Sequence, residues 1–311
     1  MITTFAIPEL DHQTQCCVTI GSFDGLHKGH MSILKQLVEE ASQKGLKSLV
    51  FTFDPHPRTV LSQGDPLQLL STLEEKKNSL EQLGIDYLVI FPFDLEFSRL
   101  SARDFVTTIL VKGLHTKKII IGYDHRFGRN RNADIDDLIE FGKEFNFEVQ
   151  QIQAKQIDAI SISSTKIRNA LQEGSISTAN SYLGYHYSLS GTVVKGNQLG
   201  RTLGYPTANI QVDESLKLIP YQGVYIAKST IDNEEVYGMM NIGTKPTVDG
   251  KVQSIEIHYF NFEQNLYDRS LKIELLHRLR DEQKFETIKH LKEQLQIDKA
   301  QSLQWIKQKK A

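Results

Sequence analysis

The chain contains 311 residues, 40% of them hydrophobic and 24% charged, with a net charge of −2. This apolar fraction argues against disorder, and the length suggests about two domains. The weak net charge gives no basic surface for long nucleic acid or an anionic membrane. No apolar run approaches the ~20 residues of a membrane span, and no secretory signal is visible. We therefore expect a soluble, cytoplasmic protein that binds neither nucleic acid nor membrane.

The first half alternates short apolar strands with amphipathic helices. Continuous apolar runs occur at residues 17–20, 49–53, 87–91 and 118–121, with helical patterns between them. Runs without polar alternation are typical of a parallel sheet covered on both faces. Ser71–Glu74 and Ser101–Asp104 have the spacing of capping boxes that open helices. The pattern predicts a doubly wound, Rossmann-like α/β domain, which binds ligands at the carboxyl ends of its strands.

The second half contains short strands separated by turn-forming residues. Strand patterns without intervening helices predict a small antiparallel β-barrel. Helical spacing returns near the end of the chain at residues 285–295, and Asp298 has the position of a cap for a final helix that reaches Trp305. The change of pattern predicts domains at residues 1–184 and 185–311.

Residues 21–30, GSFDGLHKGH, follow the first strand and open the first helix. A helix N-terminus attracts phosphate, and glycines allow the backbone a close approach to it. His27 and His30 are placed to donate to one phosphate and to stabilise charge in a phosphoryl-type transition state. The alternative is an ordinary turn with surface histidines or an accidental metal pair. The predicted ATP-binding residues of this loop are Gly21, Phe23, Asp24, Gly25 and Gly29.

A second helix start lies at residues 162–168, ISSTKIR. Ser164 or Thr165 suits an N-cap, and Arg168 follows one turn later, where it would clamp phosphates. Ordinary capping is the alternative for this segment alone. Together with the first loop, however, Ser163, Ser164 and Thr165 indicate a nucleoside triphosphate site.

Two further segments follow strands of the first domain. Prolines at 55 and 57 restrict the chain after the second strand and place its side chains at the carboxyl edge of the sheet. A later loop, residues 121–131, combines an aromatic residue with arginines that suit a planar, phosphorylated ligand. The alternative is an exposed basic loop. The candidate residues for such a ligand in these segments are Phe53, Pro55, His56, Pro57, Asp124 and Phe127.

These motifs resemble a known family. HxGH with a downstream ISSTxIR is similar to the nucleotidyltransferase superfamily. With TFxPHP and GxDxxFG, it resembles the FMN adenylyltransferase half of the prokaryotic bifunctional riboflavin kinase/FAD synthetases. The sequence departs from that pattern at His125 and Ala133. The resemblance implies that the phosphate of FMN attacks the α-phosphate of ATP, which releases pyrophosphate and forms FAD. It also implies that the six candidate residues of the two segments above bind the flavin.

The second half has its own glycine-rich loop within residues 191–210, GTVVKGNQLGRTLGYPTANI. Its backbone N–H groups suit phosphates, and Thr207 and Asn209 offer neutral oxygens to Mg²⁺. Glu256 lies on a later strand, where a carboxylate can accept the proton of an alcohol. The alternatives are a plain hairpin and an exposed strand glutamate. The predicted ATP-binding residues are Gly196, Gly200, Arg201 and Gly204.

Here too the motifs resemble a family. GxxxGRxLGxPTANI, NIGxxPT, the glutamate strand and LRxExKF occur in the order found in riboflavin kinase domains. The resemblance implies that Thr207 and Asn209 serve Mg²⁺-ATP, that Glu256 is the base and that Arg280 contacts the flavin. Lys245, Asn261 and Asn265 depart from the family pattern.

The combined resemblance implies a bifunctional enzyme with ATP as co-substrate at both sites, Mg²⁺ as cofactor, and riboflavin, FMN and FAD as ligands. One alternative is a single-activity FMN adenylyltransferase with a non-catalytic flavin-binding barrel. The other is a non-enzymatic RNA-binding protein that uses the loop at residues 126–131 and the barrel. The sequence does not indicate an oligomeric state.

Overall fold

The structure is a computed structural model of the chain. It describes all residues except 63, 65, 123–125, 130–131, 153–155, 158–159, 197–198, 248–249 and 311. The chain divides into two compact units, Met1–Ser164 and Thr165–Ala311. Within the described residues, no helix has the length and apolar character to cross a membrane.

The first unit contains a parallel sheet with helices between its strands. Its strands, in the order β1-β4-β3-β2-β5-β6, are β1 (Ile2–Thr4), β2 (Cys16–Ile20), β3 (Lys47–Asp54), β4 (Tyr87–Pro92), β5 (Thr116–Gly122) and β6 (Glu148–Ile152). A small pair, β7 (Gln156–Ile157) and β8 (Ile160–Ser161), is antiparallel. The helices are α1 (Lys28–Lys44), α2 (Pro57–Leu61), α3 (Leu73–Gln82), α4 (Ala102–Asp104) and α5 (Ile135–Phe145), and α4 continues as a π-helical segment, Phe105–Gly113. The predicted Rossmann-like fold is confirmed.

The central strand β2 separates two apolar cores. Cys16 belongs to one core and Cys17 to the other, because successive side chains of a strand point to opposite faces. Both thiols are fully buried. Burial raises the pKa of each thiol to about 12, so the adjacent cysteines act as small apolar residues of the sheet.

Capping decides where two helices of this unit begin. The predicted Ser71–Glu74 box is wrong by one residue: the Thr72 side chain accepts from the Glu75 backbone N–H, and the Glu75 carboxylate accepts from the Thr72 N–H. The Ser71 hydroxyl instead accepts a hydrogen bond from the backbone of Gly25 at 3.0 Å. The Ser101 cap is confirmed, since its hydroxyl accepts from the Asp104 N–H at 3.0 Å.

The second unit is a closed barrel with helices before and after it. The barrel order is β10-β13-β12-β11-β14-β9, and all its neighbours are antiparallel. Its strands are β9 (Ser188–Val194), β10 (Ala208–Val212), β11 (Gly223–Ile231), β12 (Glu234–Thr247), β13 (Gly250–Tyr259) and β14 (Ser270–Arg280). The helices are α6 (Ser164–Gln172, whose first residue belongs to the first unit), α7 (Ile176–Leu183), α8 (Leu199–Thr202) and α9 (Ile288–Lys310). The predicted barrel is confirmed.

Residues 165–183 group with the barrel, although the sequence predicts a boundary near residue 184. The Tyr221 N–H donates to the carbonyl of Leu171 at 2.9 Å. The Asn180 amide donates to the Leu275 carbonyl of β14 at 2.9 Å. These bonds connect α6 and α7 to residues of the same unit that are distant in sequence, and the expected domain boundary near residue 184 stays a prediction.

The chain ends in one long helix, α9, where the sequence predicts two. Asp298 lies in the middle of α9 and is fully buried, so the expected cap at this position is wrong. Its carboxylate accepts both a 2.9 Å and a 2.7 Å bond from the Arg280 guanidinium at the end of β14. Asp298, whose position predicted a helix start, is instead the ion-pair partner of Arg280.

Candidate active sites

His27 is the N-cap of α1. Its Nδ1 accepts a hydrogen bond from the His30 backbone N–H at 3.3 Å, so the proton of the neutral ring is on Nε2. The rings of His27 and His30 stack with centroids 3.7 Å apart and planes 16° from parallel. The Phe23 ring meets His30 edge-on at 5.2 Å. The two predicted histidines therefore lie together at a helix N-terminus.

Burial keeps His30 neutral. Its Nδ1 is buried and, within the described residues, has no hydrogen-bond partner. Desolvation, with smaller contributions from the charges of His27 and Lys76, lowers the pKa of His30 well below its usual 6.5. A neutral ring at this position presents one donor and one acceptor.

Backbone conformation and close neighbouring side chains explain three glycines of the loop. Gly25 has a φ of 80°, in the left-handed region, and its non-glycine neighbours Phe23 and Leu26 also have positive φ values of 47° and 38°. Such strain is common at functional sites. A Cβ at Gly29 would lie 3.1 Å from Cε1 of His27, so a side chain there would press on the imidazole. A Cβ at Gly21 would lie 3.2 Å from the Phe23 ring.

Asp24 is a buried anchor of this loop. Its carboxylate accepts from the backbone N–H groups of Leu70, at 2.9 Å, and Ser71, at 3.1 Å. Its own carbonyl accepts from the Ser164 hydroxyl at 3.0 Å. Asp24 thus connects the first loop to the segment before α3 and to the start of α6. Its expected contact with ATP stays a prediction.

The ISSTKIR segment starts α6 at Ser164. The capping position consequently falls on Ser163, one residue before the predicted Ser164 or Thr165. Because Ser164 bonds to Asp24, the segment begins beside the first loop. Thr165 and Arg168 belong to the second unit, where Arg168 is buried. Contacts of Ser163, Thr165 and Arg168 with a triphosphate stay predictions.

The predicted flavin residues Phe53 and Phe127 belong to a cluster of aromatic rings. The ring centroids of Phe53 and Phe97 are 5.7 Å apart. Phe105 connects this pair to Phe127, because its ring centroid lies 6.0 Å from that of Phe97 and 6.1 Å from that of Phe127. Phe93 joins the cluster at 5.4 Å from Phe53. Phe93 and Phe97, which both follow β4 closely, are additional members that lie outside the predicted set. Phe127 is only 8% exposed and packs into the core of the unit.

The other predicted flavin residues follow β3. His56 caps α2, because its Nδ1 accepts from the Arg58 N–H at 3.1 Å, and Pro57 is the first residue of that helix. Pro55 lies between Asp54, the last residue of β3, and this cap. Asp124 lies outside the described residues. Flavin contacts of these side chains stay predictions.

In the barrel, Glu256 lies between two asparagines of neighbouring strands. It pairs with Asn209 of β10 on one side and with Asn241 of β12 on the other. The Thr207 hydroxyl donates to the Glu256 carboxylate at 3.2 Å. The predicted base and the predicted metal ligands Thr207 and Asn209 are therefore together.

The glycines of the barrel loop make room for these side chains. A Cβ at Gly196 would lie 2.2 Å from the Asn209 amide, and one at Gly200 would lie 2.3 Å from the Tyr205 carbonyl oxygen. Gly204 has a φ of 83°. Arg201 is exposed on α8. A hydroxyl, an amide and a carboxylate beside glycine backbone form a donor set that fits Mg²⁺, which takes few protein oxygens.

A cavity of about 380 Å³ opens beside Glu256. Arg280 borders it and forms a two-bond ion pair with Asp298, whose Oδ1 also accepts from the Gln294 amide at 2.9 Å. Such forked pairing fixes a guanidinium in orientation. The cavity is lined by polar and apolar side chains that include Leu203, Tyr205, Thr207, Met239, Asn241, Glu256, His258, Arg280, Phe285, Leu291, Leu295 and Asp298.

His258, which is not among the predicted site residues, also borders the cavity. Its Nδ1 is 2.8 Å from the carbonyl oxygen of Pro206, so that nitrogen carries the proton and donates. Burial lowers the pKa of His258, partly offset by this bond. The imidazole holds the backbone directly before Thr207. The position of His258 two residues after Glu256 on strand β13 was the sequence signal that both side chains point to the same face.

The first unit has a helix N-terminus suited to phosphate beside a parallel sheet. The barrel has a carboxylate and a hydroxyl paired beside a cavity. These features are typical of transferases that use nucleotides, and comparison with known families leads to the same class. The FAD synthetase family matches residues 9–166, and the riboflavin kinase family matches residues 183–306.

Whole-length relatives join both halves in one chain. A bifunctional riboflavin kinase/FMN adenylyltransferase of Escherichia coli K12 is 36% identical over 92% of this chain and 91% of its own. Proteins of the same description from Listeria monocytogenes and Bacillus subtilis are 38% and 36% identical, over 90% and 95% of this chain and 89% and 94% of theirs. The chain belongs to the bifunctional riboflavin kinase/FMN adenylyltransferase family, which confirms the predicted resemblance.

A solved structure supports the fold of the whole chain. It comes from Streptococcus pneumoniae, is described as a macrolide-efflux protein and has a TM-score of 0.89 at 30% identity. The match covers 98% of this chain and 99% of that chain.

Proposed function

We propose that the chain phosphorylates riboflavin to FMN in the barrel and adenylylates FMN to FAD in the first unit, with ATP as the donor in both reactions. The observation that carries this proposal is the Thr207–Glu256 hydrogen bond of 3.2 Å beside the barrel cavity. A barrel that only bound flavin would not require a carboxylate oriented in this way. The pair therefore favours two activities over a single adenylyltransferase.

In the kinase reaction, the 5′-hydroxyl of riboflavin attacks the γ-phosphate of ATP. Glu256 orients this hydroxyl and accepts its proton as the new O–P bond forms. The bond between the γ-phosphorus and the β–γ bridging oxygen breaks, and ADP leaves. Thr207 and Asn209 would hold Mg²⁺, which neutralises phosphate charge when bound. His258 keeps the Pro206 carbonyl, and with it the Thr207 backbone, in place.

In the adenylyl transfer, an oxygen of the FMN phosphate attacks the α-phosphate of ATP and pyrophosphate leaves. No base is needed, because a phosphate monoester is already ionised near neutral pH. The N-terminus of α1 and the Nε2–H of His27 stabilise the negative charge that develops on the transferred phosphate. His30, stacked on His27 and neutral, supports it from the same side.

The experiment is an incubation of the full chain with riboflavin, ATP and Mg²⁺, followed by chromatography of the flavins. We expect FMN to appear first and FAD to follow. If no FMN forms while added FMN is still adenylylated, the single-activity alternative is correct and the barrel is a binding module. A chain that converts neither flavin contradicts both proposals.

A further inference from the structure

A buried lysine lies beneath the first phosphate loop. Lys76 of α3 is only 7% exposed, and its ammonium donates to the Ser22 carbonyl at 2.7 Å. The Thr52 hydroxyl is a second neighbour at 3.5 Å. Lysines are rarely buried unless they are paired, because an ammonium loses much hydration on burial. Within the described residues, no carboxylate lies within ion-pair distance of Lys76.

The surroundings of Lys76 connect it to the histidine pair. Ser22 lies in the loop that ends at His27 and His30. The Lys76 charge contributes to the lowered pKa of His30, which places the ammonium within electrostatic reach of that ring. Burial lowers the pKa of Lys76 itself, and the more distant carboxylates of Asp24 and Asp54 act in the opposite direction.

The whole segment from residue 70 to residue 76 supports the loop. Leu70 and Ser71 donate to the Asp24 carboxylate, the Ser71 hydroxyl accepts from the Gly25 N–H, and Lys76 bonds to Ser22. Three residues of the loop, Ser22, Asp24 and Gly25, are therefore bonded to this segment. Lys76 is the member of this set that brings a positive charge.

We propose that Lys76 is a positioning residue for adenylyl transfer, which holds the loop through the Ser22 carbonyl and places a buried positive charge beneath the site of the ATP phosphates. This inference rests on the proposed adenylyltransferase function of the first unit. An ammonium that is incompletely compensated in the free protein gains a counter-charge when an anionic triphosphate binds to the loop. The cost of its burial is then offset in the complex.

The test compares Lys76→Met with Lys77→Met. Lys77 is the next residue of α3, is partly exposed and pairs with Glu74 at 3.1 Å, so its variant controls for loss of a lysine on this helix. We expect Lys76→Met to lower kcat/KM for FMN adenylylation by roughly 10- to 100-fold, the range for hydrogen bonds to charged groups. Riboflavin phosphorylation by the same molecules should stay unchanged. A kcat/KM within twofold of the Lys77→Met value would overturn the proposal.

Two further measurements separate the charge from packing. Lys76→Arg keeps the charge and should retain FMN adenylylation within about tenfold of the unchanged chain. The charge of Lys76 contributes to the lowered pKa of His30. In an NMR titration, Lys76→Met should therefore raise the pKa of His30, whereas Lys77→Met should leave it in place. If Lys76→Met does not fold, the Lys76→Arg variant tests the proposal alone. A folded Lys76→Arg chain whose kcat/KM for FMN adenylylation falls more than a hundredfold contradicts the proposal.

The unchanged chain distinguishes this inference from the function on which it rests. If that chain makes no FAD from FMN and ATP, the adenylyltransferase assignment fails. If it makes FAD and Lys76→Met does so equally well, the assignment stands and only the role of Lys76 fails.

Discussion

The two units bring polar side chains together by different means. In the first unit, side chains bond to the backbone of a loop: Asp24 accepts from Leu70 and Ser71, and Lys76 donates to Ser22. In the barrel, side chains meet across neighbouring strands, where Glu256 is flanked by Asn209 and Asn241. A loop after a parallel strand has no neighbouring strand to define its shape, so side chains must define it. In the barrel, the hydrogen bonds between antiparallel strands fix which residues of neighbouring strands lie side by side.

This difference indicates what a substitution in each site would disturb. In the first unit, loss of an anchor displaces the backbone and all the groups on it. In the barrel, Glu256 lies on a strand whose backbone is held by ladder hydrogen bonds, so loss of its carboxylate removes that group's chemistry alone. The following predictions test this contrast.

The largest effect is expected in the barrel. Glu256→Gln keeps the shape and removes the proton acceptor, so kcat for riboflavin phosphorylation should fall by roughly 10³-fold, within the usual range for a general base. Adenylylation of added FMN should continue at its normal rate. Flavin chromatography with each substrate separately provides the measurement. Loss of both activities in a folded variant would contradict the division of labour.

His30→Ala is the counterpart in the first unit. It removes the ring that stacks on His27 at 3.7 Å, and FAD formation should fall by roughly 10²- to 10³-fold, as for the loss of a group that stabilises transition-state charge. Riboflavin phosphorylation should survive, so that FMN accumulates. Thermal unfolding of the variant is the control for folding. FAD formation at the normal rate would exclude His30 from the reaction.

Asp298→Asn tests the stability of the barrel unit. The carboxylate is fully buried and receives two bonds from Arg280. Removal of one partner of a buried ion pair leaves the other uncompensated, so the free energy of unfolding of this unit should fall by about 3 kcal/mol. Urea denaturation followed through Trp305, the single tryptophan of the chain, reports on this unit. The first unit should keep its FMN adenylyltransferase activity, and an unchanged urea midpoint would show that the pair contributes nothing.

The smallest effect concerns pH. Burial lowers the pKa of His30 in the first unit and of His258 in the barrel. A histidine with a lowered folded-state pKa contributes stability that is present above the unfolded value of 6.5 and is lost as the pH falls below it. Urea midpoints should therefore decrease between pH 7.5 and pH 5.5. His30→Asn should reduce the decrease of the urea midpoint for the first unit. If the pH dependence of the midpoint is unaltered in this variant, groups other than His30 cause the decrease.

Local signals in the sequence were sufficient for much of the fold and for part of both sites. The His27 cap and the glycines around it lie within a single turn of chain, and the Glu256–His258 alternation is a property of any strand. Asp24 and its partners Leu70 and Ser71 are about 46 positions apart, so no local pattern relates them. Lys76 was missed for the same reason.

The errors have a similar cause. Ser71 and Asp298 are good capping residues in isolation, and the local sequence pattern predicts a cap at each. In the structure both serve distant partners, Gly25 and Arg280. Sequence patterns describe the preference of a residue for its neighbours, whereas tertiary contacts decide which of its bonding options is used.

The two cysteines have a practical consequence for measurements on this protein. Cys16 and Cys17 are the only cysteines of the chain, and both thiols are buried with pKa values of about 12. Thiolate is the species that reacts with maleimides and iodoacetamides, so the native chain should label very slowly near neutral pH. A single cysteine introduced on an exposed face of either unit would then accept a fluorophore selectively, without prior replacement of the natural pair.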